Sequence, residues 1–192
     1  STGGDFLREL VKHVAAALGI RYAFVGYLLP ESRIRTLAFC KRNGYLDQME
    51  YSLDGTPCTK VIQGETCHYS QDVQQLFPHD QDLVTLSVTS YLAVPLKDPK
   101  GQVLGHLVAM DVKPMTLTSD EIEVFKLFGE RAGVEIYRQV LETSLQQRET
   151  TLRAIAEGTA TEVGTNFFRS LVKSLATALG VDYAYISELR SE

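Results

Sequence analysis

The strongest constraint on the fold comes from two apolar segments that flank a tight turn. The turn is Asp98-Pro99-Lys100-Gly101, in which proline presets φ and glycine accepts a positive φ. The segments Ser90–Leu96 and Gln102–Met110 carry apolar residues at successive positions, which is typical of strands covered on both faces. We therefore predict two adjacent antiparallel strands near the centre of a sheet.

The residues before this hairpin predict one helix and three strands. Apolar residues at helical spacing indicate a helix within Ser1–Leu18, with Asp5 as a candidate N-cap. Three segments then have strand character: Ile20–Leu29, Ile34–Cys40 and Tyr45–Leu53. Together with the hairpin they predict an antiparallel sheet with a helical layer.

The stretch from residue 54 to residue 82 has a different character, with several glycines and prolines and only short apolar runs. It predicts short helices near Thr59–Ile62 and Val73–Phe77 and an extended piece at Thr66–Tyr69. A further helical turn is predicted between His79 and Leu86.

A long helix follows the hairpin. It is predicted to begin with Thr118 or Ser119 as its cap and to run toward Glu157. Its later part resembles a heptad seam in which Arg148 occupies one core position. The seam residues are Leu141, Leu145, Leu152 and Ile155. We expect a homodimer in which these exit helices pair; the alternative is a connector helix surrounded by water.

The end of the chain repeats its beginning. Residues 166–185 match residues 5–24 at roughly half of the positions, which indicates an internal repeat. We expect a first domain over 1–140, a helical linker over 141–162 and the truncated start of a second copy over 163–192, from a longer tandem protein. In that copy a helix should precede an unpaired strand with Tyr183, Tyr185 and Ile186.

Composition excludes several classes of partner. The net charge is −5 and no run of lysines or arginines is present, so we expect no binding to nucleic acid or to an anionic membrane. No apolar run approaches the roughly 20 residues of a membrane span, and no signal-peptide pattern opens the chain. The three cysteines cannot all pair, and we expect reduced thiols in a cytoplasmic protein.

Several motifs, in this order of elements, resemble the GAF domains of bacterial sensor histidine kinases and related multidomain signalling proteins. The motifs are YSLDGTPC at 51–58, FPHD at 77–80, SYLAVPL at 90–96, GHLVAMD at 105–111 and RAGVE at 131–135. The resemblance covers about 3–140, and a second copy opens near 163. It implies an α+β fold of the PAS/profilin-like type. The sheet should have six antiparallel strands, with helices on one face, a ligand pocket on the other and a long C-terminal signalling helix.

Six residues come from segments that should surround this pocket. They are Tyr51, Cys58, Tyr69, Phe77, Tyr91 and His106. Tyrosine combines an apolar body with a polar tip, which suits a small ring ligand; the alternative is that the aromatic residues only fill space. His106 is interpreted as a hydrogen-bonded core histidine. No two histidines have the close spacing of a zinc motif, so no metal is expected.

Two cofactors are considered and not expected. Phytochrome GAF domains attach a bilin at a Cys-His pair on a helix just before the strand that matches Ser90–Leu96. Here the pair Cys67-His68 lies far upstream and Asp-Ile-Pro is absent. Cyclic-nucleotide GAF domains share an Asn-Lys…Phe…Asp-Glu signature, and Asp120-Glu121 follows no suitable Asn-Lys.

The resemblance implies a sensory module that binds a small molecule, signals through its exit helix and is not itself an enzyme. An effector such as a histidine kinase or a nucleotide cyclase is expected elsewhere in the full protein. One alternative is a dimerisation or spacer domain without a ligand. Another is a thiol redox sensor or an enzyme similar to free methionine sulfoxide reductases, with Cys58 at one matching position. The nucleophile position of those reductases falls at residues 82–85, which lack cysteine.

Overall fold

The computed structural model describes residues 3–42, 44–159 and 165–187. The chain divides into two compact units, residues 1–139 and 140–192. Among the described residues, no helix combines the length and the apolar character that a membrane crossing requires.

The first unit is built on a sheet of seven strands in the order β3-β2-β1-β7-β6-β5, with β4 paired to β2. All pairings are antiparallel. The strands are β1 (Tyr22–Leu29), β2 (Arg33–Lys41), β3 (Gly44–Tyr45), β4 (Glu50–Ser52), β5 (Cys67–Tyr69), β6 (Ser90–Lys97) and β7 (Val103–Asp111). Both hairpin strands, β6 and β7, are interior, so their predicted central placement is confirmed.

The sheet differs from the six-stranded prediction because the third predicted strand is two strands. β3 and β4 both pair with β2 and are separated by residues 46–49. The Thr36 hydroxyl accepts a hydrogen bond from the backbone N–H of Met49 at 2.8 Å and donates to its carbonyl at 3.3 Å. Two backbone bonds also join this stretch to β2, from the N–H of Thr36 to the carbonyl of Met49 and from the N–H of Leu46 to the carbonyl of Phe39, both at 2.9 Å. The third predicted strand therefore stays beside β2 but is regular only at its two ends.

Six helices complete the described structure. They are α1 (Gly3–Leu18), α2 (Cys58–Ile62), α3 (Val73–Leu76), α4 (Gln81–Thr85), α5 (Ser119–Thr159) and α6 (Thr165–Leu179). Asp5 lies inside the first turn of α1 and is not its N-cap, because the helix already begins at Gly3. Thr118 and Glu121 form a capping box at the start of α5, in which Glu121 Oε2 accepts from the Thr118 N–H at 2.8 Å.

The sheet is covered on both faces, because successive apolar residues of its strands point to opposite faces. One face, which includes Leu92 and Val94 of β6, forms a core with α1 and the first part of α5. The other face, which includes Tyr91 and Ala93, forms a second core with α2, α3 and α4. We call these three short helices and their connections, residues 54–66 and 70–89, the short-helix layer. It closes the side of the sheet on which the resemblance places the pocket.

The second unit contains the end of α5 and the helix α6. Gly180 follows α6 with φ +64°, as Gly19 follows α1 with φ +62°. In both places the next residue donates its N–H to a carbonyl five positions back, Ile20 to Ala15 at 3.0 Å and Val181 to Ala176 at 3.1 Å. Residues 181–187 have no regular structure, so the predicted strand after α6 is wrong. No strand in the described part of the chain pairs with these residues to form a ladder.

Candidate functional site

A recess with about 40 Å³ of internal space, partly open to solvent, lies between the sheet and the short-helix layer. This space is far below the roughly 300–1,000 Å³ of pockets that hold small organic molecules, so a ligand can enter only if lining side chains move outward. The sheet side contributes Phe24, Thr36, Phe39, Met49, Tyr51, Tyr91 and Met110. The short-helix layer contributes Cys58, Asp80, Asp82, Leu83 and Leu86.

Four polar side chains form one hydrogen-bonded series at the base of the recess, which we call the polar chain. The Tyr51 hydroxyl lies 2.9 Å from Nε2 of His106 and 3.6 Å from Sγ of Cys58. Sγ of Cys58 lies 3.1 Å from the Tyr91 hydroxyl. The polar chain therefore connects the β4, β6 and β7 strands with the first residue of α2.

His106 occupies a space that a glycine leaves free. Gly26 is its partner on the neighbouring strand, and a Cβ there would lie 2.8 Å from Nε2 of His106. The imidazole also meets the edge of Phe24, with ring centroids 5.6 Å apart. Its Nδ1 is buried without a hydrogen-bond partner among the described residues, so Tyr51 supplies the only polar contact of the ring.

Burial keeps the polar chain uncharged. It raises the pKa of Tyr51 and of Tyr91 well above 10, and it raises the pKa of the Cys58 thiol. Burial lowers the pKa of His106 to about 3 because an imidazolium would lose its hydration. At neutral pH the base of the recess therefore presents neutral groups that can donate and accept hydrogen bonds.

The opening of the recess carries acidic groups. Asp80 is the N-cap of α4, and its Oδ1 accepts from the N–H groups of Asp82 at 3.1 Å and Leu83 at 3.2 Å. Burial raises the pKa of Asp80, and the hydrogen bond from Leu83 partly opposes the rise. Asp82 lies beside it and is exposed.

This architecture agrees with a sequence comparison. The sequence profile of the GAF domain family matches residues 4–136. The chain belongs to the GAF domain family. No curated protein has a significant match to the sequence.

Solved structures with the same fold include bilin proteins from cyanobacteria. A phycoerythrobilin-bound GAF domain from a cyanobacterial phytochrome is 16% identical, with a TM-score of 0.59 over 74% of this chain and 89% of that one. The blue-light-absorbing form of the PixJ GAF domain of Thermosynechococcus elongatus is 18% identical, with a TM-score of 0.60 over 75% and 90%. A far-red cyanobacteriochrome photoreceptor is 11% identical, with a TM-score of 0.58 over 71% and 86%.

These neighbours correct one expectation. We predicted no cofactor, on the position of Cys67-His68, yet the structures that share this fold include domains bound to phycoerythrobilin and phycocyanobilin. The position of one Cys-His pair is a criterion for attachment at that pair only. It does not test whether the fold can receive a bilin, and the expectation of no cofactor is contradicted.

The six predicted site residues are found in one region of the GAF domain, with different relations to the recess. Tyr51, Cys58 and Tyr91 line it, and His106 contacts it through Tyr51. Tyr69 and Phe77 pack against each other with ring centroids 5.4 Å apart, and Tyr69 also packs on Tyr91 at 6.2 Å. Tyr69 and Phe77 therefore do not line the recess, and they support its lining through the contact of Tyr69 with Tyr91. That the six bind a ligand stays a prediction.

Sequence analysis missed most of the lining, and part of it had a usable signal. Tyr91 pairs with Met110, and Phe24 pairs with Val108 on the same face. Once Tyr91 is assigned to the recess, the alternation of strand residues assigns Phe24 and Met110 to it as well. Asp80 had no such signal, because its place depends on how the short-helix layer folds over the sheet.

The thiols do not have the environment of reactive cysteines. Cys40, Cys58 and Cys67 are all free and buried, and burial raises the pKa of each. Thiol catalysis requires a thiolate, which a positive charge, a helix N-terminus or a metal would stabilise. Cys58 is the first residue of α2, but burial outweighs the groups that lower its pKa, and the pKa is raised. Within the described residues, no group of three or more possible ligands could hold a metal ion.

Proposed function

We propose that this GAF domain is a sensory module whose ligand occupies the recess. The observation that carries the proposal is the polar chain, which places neutral hydrogen-bonding groups at the base of a cavity with aromatic and aliphatic walls. A cavity of this kind binds a ring by apolar contact and fixes its orientation by a few hydrogen bonds.

Strand β6 connects the recess to α5, because its two faces contact different parts of the domain. Tyr91 of β6 faces the recess, while Val94 of β6 faces the helix. A Cβ at Gly129 would lie 2.7 Å from Cγ2 of Val94, and a Cβ at Gly133 would lie 2.7 Å from the carbonyl oxygen of Lys97. Because the helix packs this closely on β6, a ligand that displaces the strand also displaces α5.

A bilin is one ligand class that the proposal includes, since the neighbouring structures hold bilins. The polar chain and Asp80 offer partners for pyrrole N–H groups and carbonyl oxygens. Cys58 is the one cysteine, among the described residues, that lines the recess. The recess as it stands is too small for a ring, so a ring ligand requires outward movement of the short-helix layer, and a linear tetrapyrrole requires a larger movement.

The test combines bilin loading with a stability screen. The chain is produced in cells that make phycocyanobilin, and visible absorption is measured on the purified protein. In parallel, apoprotein is screened by thermal shift against a metabolite library, because a ligand that binds only the folded state raises the melting temperature. We expect a bilin band or a shift that Leu86→Trp abolishes, since Leu86 lines the recess.

The matched control is Leu76→Trp, at an exposed position outside the recess. It should keep the ligand response of the original chain. If neither a bilin nor any library member binds, the domain is a spacer and the proposed function is wrong.

We also propose that the protein is a homodimer joined by α5. This 41-residue helix is about 60 Å long. It leaves large apolar side chains exposed at spacings of three, four or seven residues, as in a coiled-coil seam. In the first unit these are Val124, Leu127 and Val134, and in the second they are Leu141, Leu145 and Leu152. Light scattering over a concentration series should show a dimer that Leu145→Glu dissociates and Gln147→Glu does not.

We propose further that the chain is part of a multidomain signalling protein with tandem GAF copies. The matching turns after α1 and α6, at Gly19 and Gly180, support a second copy that begins near residue 163. The effector would be a histidine kinase or a nucleotide cyclase in a cytoplasmic protein. The genomic sequence downstream of Glu192 tests this directly: it should complete a second GAF domain, and a stop codon directly after it would contradict the proposal.

A further inference from the structure

The recess has an unbalanced set of charges. Of its twelve lining residues, only Asp80 and Asp82 carry a charge at neutral pH. No lysine, arginine or histidine of the described chain lines it. An anion placed there would lose hydration, meet two carboxylates and find no cation to compensate.

Asp80 has a second carboxylate oxygen that can accept a hydrogen bond from a ligand. Both hydrogen bonds that cap α4 end on Oδ1, and Oδ2 has no hydrogen-bond partner among the described residues. A carboxylate has about four lone-pair sites, so Asp80 can cap the helix and accept from a ligand at the same time. A hydrogen bond from a charged donor to this carboxylate is stronger than one between neutral groups.

The base of the recess also determines which ligand groups can bind there. Tyr51, Cys58 and Tyr91 each carry a hydrogen that can point either way along the polar chain. The base therefore accepts a neutral hydrogen-bonding group of either polarity, and the walls from Phe24, Phe39 and Met110 suit a flat apolar ring.

We infer that the recess selects a ring-bearing molecule that is neutral or positively charged, with an N–H donor facing Asp80, and that it rejects anions. This inference rests on the proposed function and narrows its ligand class. Phosphate-bearing ligands such as nucleotides are excluded by the same charges. A bilin carries carboxylates, so it agrees with this charge selection only if those carboxylates remain in solvent outside the recess.

The test uses three probes of one size that differ in charge: phenethylamine, 2-phenylethanol and phenylacetate. Binding to the whole chain is measured by calorimetry and by ligand-detected NMR. We expect phenethylamine to bind at least tenfold more tightly than 2-phenylethanol, and phenylacetate to show no binding.

Asp80→Asn is the decisive variant, because asparagine is as good an N-cap as aspartate, while it removes the charge and replaces the free acceptor Oδ2 with an NH₂ donor. It should keep the melting temperature of the original chain and reduce phenethylamine binding about tenfold, to the level of the alcohol. Asp54→Asn is the matched control and should retain the preference for the amine, since Asp54 is exposed and does not line the recess.

The outcomes distinguish a failure of the charge selection from a failure of the ligand-binding function. Phenylacetate binding as tightly as phenethylamine, or an unchanged preference in Asp80→Asn, overturns the charge selection and leaves the ligand-binding function standing. No binding by any of the three probes, together with a negative bilin and library screen, overturns the function itself and this inference with it.

Discussion

The Tyr51 hydroxyl lies 2.9 Å from Nε2 of His106, across 55 residues of sequence. The contact joins β4, which pairs with β2, to β7 in the interior of the sheet. Among the residues that the structure describes, Tyr51 is the only polar partner of the fully buried His106. The pair therefore links the stability of the sheet to the base of the recess.

Tyr51→Phe should destabilise the domain by about 1–3 kcal/mol, measured by denaturant unfolding. The substitution removes one hydroxyl and leaves both ring nitrogens of a buried imidazole without a partner, and the desolvation cost of such groups has this size. Tyr45→Phe is the comparison, because the Tyr45 hydroxyl donates to the Arg8 carbonyl at an exposed position. Its effect should be well under that of Tyr51→Phe.

A double-mutant cycle isolates the contact. His106→Leu removes the imidazole, and in that background Tyr51→Phe should cost much less than it does in the original chain. Equal costs in both backgrounds would show that Tyr51 acts through packing and not through His106.

The stability of the domain should fall as the pH is lowered from about 6.5 toward 3. His106 has a pKa of about 3 in the folded state, against 6.5 in the unfolded state. Between these values the unfolded state binds a proton that the folded state does not, so protonation favours unfolding, by about 1.4 kcal/mol per pH unit. Unfolding at a series of pH values should show a shallower decline in His106→Gln, because the other titrating groups are common to both proteins.

The sequence was sufficient to predict the hairpin and insufficient to predict the polar chain. Ser90–Leu96 and Gln102–Met110 are apolar at successive positions, a local pattern that only a central strand satisfies. The Tyr51–His106 contact depends on which strands become neighbours and on the space that Gly26 leaves. No periodicity within either segment carries that information.

The interrupted third strand is a second feature that the sequence could not predict. Its residues have strand character throughout, and the break at 46–49 arises where the Thr36 hydroxyl contacts the backbone of Met49. Asp80 is a third case. Its capping role could be predicted from an aspartate before a short apolar segment, but its position at the recess could not.

Two glycines in the sheet should resist substitution. A Cβ at Gly105 would overlap the backbone carbonyl of Gly26, and backbone cannot move aside without loss of the β1–β7 pairing. Gly105→Ala should therefore cost about 3 kcal/mol or more, or prevent folding. Gly26→Ala meets only the side chains of Ile34 and His106 and should cost about 1–3 kcal/mol.

Gly44→Ala is the control for this pair, since a Cβ there meets nothing within 4 Å. It should change the free energy of unfolding by less than about 0.5 kcal/mol. A Gly105→Ala protein with near-original stability would show that β1 and β7 are not packed as described.

The thiol of Cys58 should react much more slowly with iodoacetamide in the native protein than in the denatured protein. It is buried, its pKa is raised by burial, and it is held between two tyrosine hydroxyls. Only the thiolate reacts, so both the shifted pKa and the lack of access slow the reaction. Timed alkylation followed by peptide mass spectrometry gives the rate at each cysteine, and denatured protein should take up three labels with no mass loss for a disulfide. A ligand in the recess should slow Cys58 further and leave Cys40, which belongs to the opposite core, unchanged; rapid labelling of Cys58 in the native state would instead favour the thiol redox alternative.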